Sequence, residues 1–257
     1  MAALLLLCCI PALPHEFWLV PHGPQARPAD QVVFELRIGP TWPGVQTSRL
    51  PNLFSSFVMR DEIGEQEVKG RDGALSVGHA RVRVPGAAVF ALRTNPAKLE
   101  LPAAEFEQYL KEEGLTEVTE FRQKNGLKNT DSRELFSRCA KTIVFVDGSS
   151  KGFNRVMNLP LELVPVTDPL QIKTREIFSM QLLFHGEPLQ GVLVKAQLKA
   201  GKPVELTSFS DRQGIARFSL PSGGLWLFNA VHMESSMENS ADWESLWASM
   251  TIDFPLR

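Results

Sequence analysis

The sequence predicts a mainly β protein built of two β-sandwich-like domains, the first carrying one or two short helices. Three observations carry this: apolar, β-branched runs recur at near-regular spacing, turns rich in Gly, Pro and Asp separate them, and one stretch alone shows clear helical periodicity. With 257 residues, 44% of them apolar, the chain can bury a substantial core, and wholesale disorder is excluded. A net charge of −2 lacks the basic footprint expected of a nucleic-acid binder.

Gln31 to Ile38 is a partly alternating run closed by Gly39-Pro40, a strand ending in a turn. Residues 39–52 are rich in Pro and Gly and are expected to form a long loop. Ser56 to Arg60, Ala80 to Val84 and Val89 to Thr94 are further short strands, and Arg81-Val82-Arg83-Val84 alternates strictly, as a half-buried strand does. Ala103 to Glu113 is a helix: Phe106, Tyr109 and Leu110 share one face, Pro102 suits its start and Gly114 its stop. Ser132 to Ala140, with Leu135, Phe136 and Cys139 at helical spacing, is the second helix candidate, running into a strand over Thr142 to Val146.

Leu159 to Val166 reads as a strand and Thr167-Asp168-Pro169 as a linker. That sets a first domain over 15–169 and a second over 170–257. The second is regular: strands over Ile177–Phe184, Val192–Leu198, Val204–Phe209, Ile215–Leu220, Leu225–Met233 and Leu246–Phe254, joined by Gly-bearing turns, imply a small antiparallel sandwich.

Ahead of both domains, residues 1–14 read as a signal peptide. Ala2 to Ile10 is an apolar run about half as long as a membrane span, followed by a Pro- and Ala-containing cleavage region. No Lys or Arg precedes the run, so the natural start is expected further upstream; cleavage falls before His15 or, alternatively, after Ala12. The expected location is periplasmic or secreted, with no transmembrane segment in the mature chain. Cys8 and Cys9 belong to the signal, which leaves Cys139 without an intramolecular disulfide partner.

The turns Gly186-Glu187-Pro188-Leu189-Gln190-Gly191 and Ser210-Asp211-Arg212-Gln213-Gly214 resemble those of transthyretin-like and carboxypeptidase-regulatory-like sandwiches. A longer resemblance spans nearly the whole mature chain. The blocks His15-Glu16-Phe17-Trp18-Leu19, residues 101–115 from Leu101-Pro102 to Gly114-Leu115, Ser137-Arg138-Cys139-Ala140-Lys141, Ala230-Val231-His232-Met233 and 242–249 are similar, in order, to the bacterial exported family called domain of unknown function 4198. Cys139 stands where that family usually has Tyr. The resemblance implies an exported protein associated with nickel or cobalt uptake, with a metal ion or a component of a metal transporter as partner.

The chemistry-bearing residues fit that implication. His15, His22 and His232, with the carboxylates of Glu16, Glu234, Asp242 and Glu244, form the leading set, and His15, His22, His232, Glu234 and Asp242 are the expected ligands of a nickel, cobalt or copper ion. An amino terminus at His15 would add its amine as a donor. From His232 to Asp253 there are five acidic residues (Glu234, Glu238, Asp242, Glu244, Asp253) and no Lys or Arg, which favours a cation. His79 and His185 sit in turn-like sequence and read as surface residues.

No enzyme is expected. Gly148-Ser149-Ser150-Lys151-Gly152 matches a nucleophile-elbow pattern, but the helix that motif needs does not follow Ser150. His15-Glu16 lacks the second His of a zinc-protease helix. The eight basic residues from Arg122 to Arg155 are interleaved with acids and read as a solvated face. Trp243 and Trp247 form either a sugar- or peptide-binding shelf or, as the safer reading, core packing. A binding module for a protein or glycan is the alternative to metal binding.

Overall fold

The computed structural model describes residues 15–198 and 203–255; the expected signal peptide lies outside them. In chain order the elements are β1 (Glu16–Pro21), β2 (Gln25–Ala26), β3 (Gln31–Gly39), β4 (Val45–Thr47), β5 (Phe54–Arg60), β6 (Glu65–Glu67), β7 (Ser76–Arg81), β8 (Gly86–Thr94), β9 (Ala97–Leu101), α1 (Ala103–Glu112), α2 (Thr116–Lys124) and β10 (Ser132–Val146). Then come β11 (Leu161–Pro165), β12 (Ile177–Phe184), β13 (Glu187–Pro188), β14 (Leu193–Leu198), β15 (Val204–Phe209), β16 (Ile215–Ser219), β17 (Gly224–Ser235) and β18 (Trp243–Phe254). The expected mainly β, sandwich-like class holds.

A ten-stranded sheet, in the order β15-β14-β17-β18-β10-β8-β5-β6 with β2 and β9 also on β10, runs through the molecule. A four-stranded sheet of β11, β12, β13 and β16 covers one face of it, and another of β1, β3, β4 and β7 covers part of the opposite face. Two sandwich-like packings therefore share the central sheet. The boundary expected near residue 170 falls between β11 and β12, which pair antiparallel, and the central sheet takes strands from both sides of it.

The expected helix over Ser132 to Ala140 is instead the first part of β10. It pairs parallel with β18, placing Glu134 opposite Trp243 and Thr142 opposite Thr251. Its residues serve both faces: Cys139, Ile143 and Phe145 pack into the core under β12, while Ala140, Val144 and Val146 pack under β3. A strand buried on both sides carries no polar alternation, so its apolar spacing can pass for a helical one. The expected loop over 39–52 holds the short strand β4, paired to β3.

β1 is not among the expected strands, and all six of its residues are buried. Phe17 and Leu19 join the core beneath β3, while Trp18 packs with Leu227 on the other side. Among the described residues β1 pairs with β3 alone, and its other edge is tied down by side chains: Ser249 Oγ donates to the Phe17 carbonyl (2.6 Å) and Thr251 Oγ1 to that of Leu19 (2.7 Å). This satisfies carbonyls that an open edge would leave unpaired.

α1 buries Phe106, Tyr109 and Leu110 as its spacing predicts. Gly114 ends it at φ +67, and a Cβ there would meet Leu193 of β14 at 3.0 Å, so the helix stop is also where it docks on the sheet. The rest of the uncovered sheet face is closed by α1 and α2. Tyr109 stacks on Trp247 (5.5 Å between ring centroids), and Phe106 and Phe121 pack on Trp243. Both tryptophans are thus core residues of β18 and form no exposed shelf.

Candidate functional site

The expected ligands fall in separate places. His22 Nε2 lies 2.8 Å from Glu35 Oε1, and Arg37 holds the other oxygen of that carboxylate. Burial alone would raise the Glu35 pKa; hydrogen bonds from Arg37 and His22 outweigh it and leave the value lowered. Asp242 receives the Arg133 guanidinium (2.7 Å) and the Arg133 backbone N–H (2.8 Å), and that hydrogen-bonded pairing holds its carboxyl below the ordinary value. Asp242 is therefore engaged in an ion pair that tethers the β17–β18 connection to β10.

β17 and β18 sort the rest by strand alternation. Phe228 and Ala230 face the core beneath β12, and His232 and Glu234 continue that face; Val231 and Met233 face the helices. His15 immediately precedes β1 on the helix side, where its carbonyl accepts a hydrogen bond from Arg138 (3.0 Å). Burial, and then the Arg138 charge, lower the His15 pKa. The sheet stands between His15 and His232.

What the structure does bring together is His232, Glu234 and Glu244. Glu234 and Glu244 lie directly opposite each other on β17 and β18, and His232 lies two residues before Glu234 on the same face. Two like charges directly opposed in an antiparallel pair destabilise it unless something positive lies between them. His232 Nε2 approaches Glu234 Oε1 at 3.2 Å. His185, at the tip of the β12–β13 turn, completes the group: its ring and that of His232 both pack edge-on against Phe184, at 4.4 and 4.6 Å. These four side chains, with Phe184 and Met237, line a pocket of about 130 Å³. His185 is exposed, as its turn-like sequence predicts, and no spacing in the sequence connects residue 185 to residue 232. Among the described residues, no three His, Cys, Asp or Glu side chains stand close enough to enclose an ion as they are placed.

On the opposite face lies a larger cleft, of about 340 Å³, between the start of β1, the end of α1, the edge strand β15 and its neighbour β14. Glu16 is 5% exposed and lines it. Its Oε1 accepts a hydrogen bond from Asn229 and lies 3.8 Å from Lys195 Nζ, while its Oε2 has no partner among the described residues. Lys195 is bound at 2.8 Å by Glu113. Burial, reinforced by the Glu113 charge, pushes Glu16 up to about 8, and burial also raises Glu113. Lys195 and Glu205 lie on the paired strands β14 and β15, Glu113 lies at the end of α1, 82 residues before Lys195, and sequence reasoning singled out none of them for the site.

Behind this cleft a second polar cluster is sealed in the core. Glu134 accepts hydrogen bonds from Tyr109 (3.2 Å) and Ser245, and burial raises its pKa to about 7. Arg138 lies against the rings of Phe17 and Phe136, at 5.5 and 4.6 Å, and burial lowers its pKa to about 10. Ser150, of the elbow-like pattern, donates to Asp168 at 2.5 Å within a turn, and no helix follows it.

Fold and site together define a mainly β protein of stacked sheets with two ionisable pockets on opposite faces of its central sheet. The chain belongs to the DUF4198 family, described as a domain of unknown function, whose model matches residues 12–234. No curated protein matches the chain. Among solved structures it is similar to the D0-D1 domain of intimin, at 12% identity, covering 92% of this chain and 96% of that one, with a TM-score of 0.23. It is also similar to a Salmonella alpha-2-macroglobulin mutant (9% identity, 93% of this chain and 15% of that one, TM-score 0.23). A third likeness is to a tetra-tandem repeat from the extending region of a large adhesion protein (11% identity, 93% and 49%, TM-score 0.21). Scores this low carry no argument about either fold or function.

Proposed function

We propose that this chain is an exported binding protein of the cell envelope, an accessory of nickel or cobalt uptake. In this reading it holds a divalent transition-metal ion as cargo at His232, Glu234, Glu244 and His185. The observation that supports it is the Glu234–Glu244 pair, two carboxylates facing each other across β17 and β18 beside His232. A cation between them removes their repulsion. Two imidazoles and two carboxylates form a nitrogen–oxygen donor set suited to nickel, cobalt, copper or zinc, with selectivity left to geometry. The residues fit such an ion by chemistry and by shared pocket, and binding would draw Glu244 and His185 inward from their present positions. The chain's own residues supply binding and release, with no bond-making step.

Calorimetric titration of the mature protein with nickel, cobalt, copper and zinc tests this. Binding of at least one metal that is lost in His232→Ala and kept in His15→Ala supports the reading. Equal affinity in wild type and His232→Ala contradicts it. The alternative of a non-metal ligand draws on the cleft of the opposite face, which has a different chemistry.

A further inference from the structure

The acidic cleft does not end at Glu205. Thr41 and Glu205 line it and also line an adjoining hollow of about 260 Å³, whose other walls are Trp42, Pro43, Gln197, Leu198, Pro203 and Val204. Together they make one groove, acidic at the β1 end and mostly apolar at the other. Its dimensions suit a small organic molecule held by an apolar wall and a few polar anchors.

The acidic end carries more carboxyl groups than its one ammonium can serve. Glu16, Glu112, Glu113 and Glu205 line it with Lys195 as the only Lys or Arg. Lys195 is committed to Glu113 at 2.8 Å and stands 3.8 Å from Glu16, beyond hydrogen-bond reach. Glu112 accepts from Gln108 (2.7 Å) and Glu205 from Gln197 (3.0 Å), both neutral amides. Glu16 contributes a buried carboxyl oxygen with no partner among the described residues, a polar group whose burial is costly until a donor reaches it. Tyr109 and Trp247, stacked on each other, form the end wall.

We propose that this groove binds a small organic primary ammonium with an apolar body, its charged head between Glu16 and Glu205 and its body along Pro43, Leu198 and Val204. A primary ammonium carries three donors and can serve several carboxyl groups at once, where Lys195 hydrogen-bonds Glu113 alone. An anion would face four carboxyl groups with the one ammonium already committed to Glu113. A bare metal ion would find one imidazole, a competing lysine and no use for the apolar end. The site shares no residue with the metal pocket and does not depend on it. A free amine and the amino terminus of an apolar peptide both present this chemistry.

The test is calorimetry at pH 7 in excess EDTA, with 2-phenylethylammonium, its N-acetylated neutral form and phenylalanyl-leucine amide. Glu205→Gln is the main variant, since Glu205 is exposed on β15 and its loss leaves the core intact. At least one charged ligand is expected to bind with a dissociation constant below about 1 mM, the acetylated form at least about tenfold more weakly. Glu205→Gln is expected to weaken the charged ligand by about tenfold, and His232→Ala to leave it unchanged. The tighter of the two charged ligands identifies the source, free amine or peptide terminus. No binding of either up to about 10 mM, equal binding of the acetylated form, or an unaffected Glu205→Gln overturns the proposal. A protein that binds the ammonium but no metal keeps this site and loses the metal reading; the opposite result does the reverse.

Discussion

Replacing Glu16 with Gln should flatten the pH dependence of stability on the alkaline side. In the folded chain Glu16 is buried in β1 with one oxygen unpartnered, and its pKa lies near 8, against 4.5 for an unconstrained glutamate. Between those values the folded protein holds a proton that the unfolded chain has released, so stability falls as pH rises through this window. Below pH 4.5 both states are protonated and the contribution is complete. A separation of about 3.5 pKa units, with the Lys195 charge already included in it, sets an upper limit of about 5 kcal/mol on the loss, and relaxation of the site with water entry brings the expected figure to about 2 kcal/mol. Gln keeps an oxygen for Asn229 and carries no charge to desolvate. Urea unfolding from pH 5 to pH 9 should show wild type and variant converging near pH 5, with the variant more stable by about 2 kcal/mol at pH 8.5. Parallel curves, or a wild type that gains on the variant with rising pH, would refute the account of Glu16.

Other predictions concern the core. Lys141 and Glu162 are each 1% exposed and paired at 2.5 Å, and Glu162 also accepts the backbone N–H groups of Met157 and Leu159. Lys141→Met should cost about 3 kcal/mol in urea unfolding by stranding that carboxylate, and adding Glu162→Gln should recover part of the loss. Burial raises the Cys139 thiol to about 11 and leaves it 1% exposed. Its reaction with a disulfide reagent at pH 8 should be at least about a hundredfold slower in the native protein than in urea, and a fast native reaction would mean the β10 core opens readily.

Legibility in the sequence followed burial geometry. β12 and β15 each alternate between more and less buried residues and adjoin Gly- or Pro-bearing turns, and their observed ends coincide with the expected ones. β10 lies mid-sheet, covered on both faces and paired parallel to a strand more than a hundred residues away, so the local signal to separate strand from helix was absent. α2 escaped notice because only Val118 and Arg122 of its nine residues are buried. Arg122 is held through Glu107 and the carbonyls of Leu127 and Thr130, partners invisible to hydrophobic periodicity. Of the expected ligands, His232 and Glu234 could be grouped from sequence because two residues on one strand share a face. The separation of His15 from them, the arrival of His185 and the assembly of the acidic cleft are products of sheet topology.

The central claim, a metal pocket at the β17–β18 ladder, is tested most directly by anomalous scattering from crystals soaked in nickel, measured on both sides of the nickel absorption edge. The account predicts a peak between Glu234 and Glu244, within coordination distance of His232 and with His185 drawn toward it. A peak at His15 or His22 with none at His232, or none at any of the three in crystals that keep the fold, would contradict it.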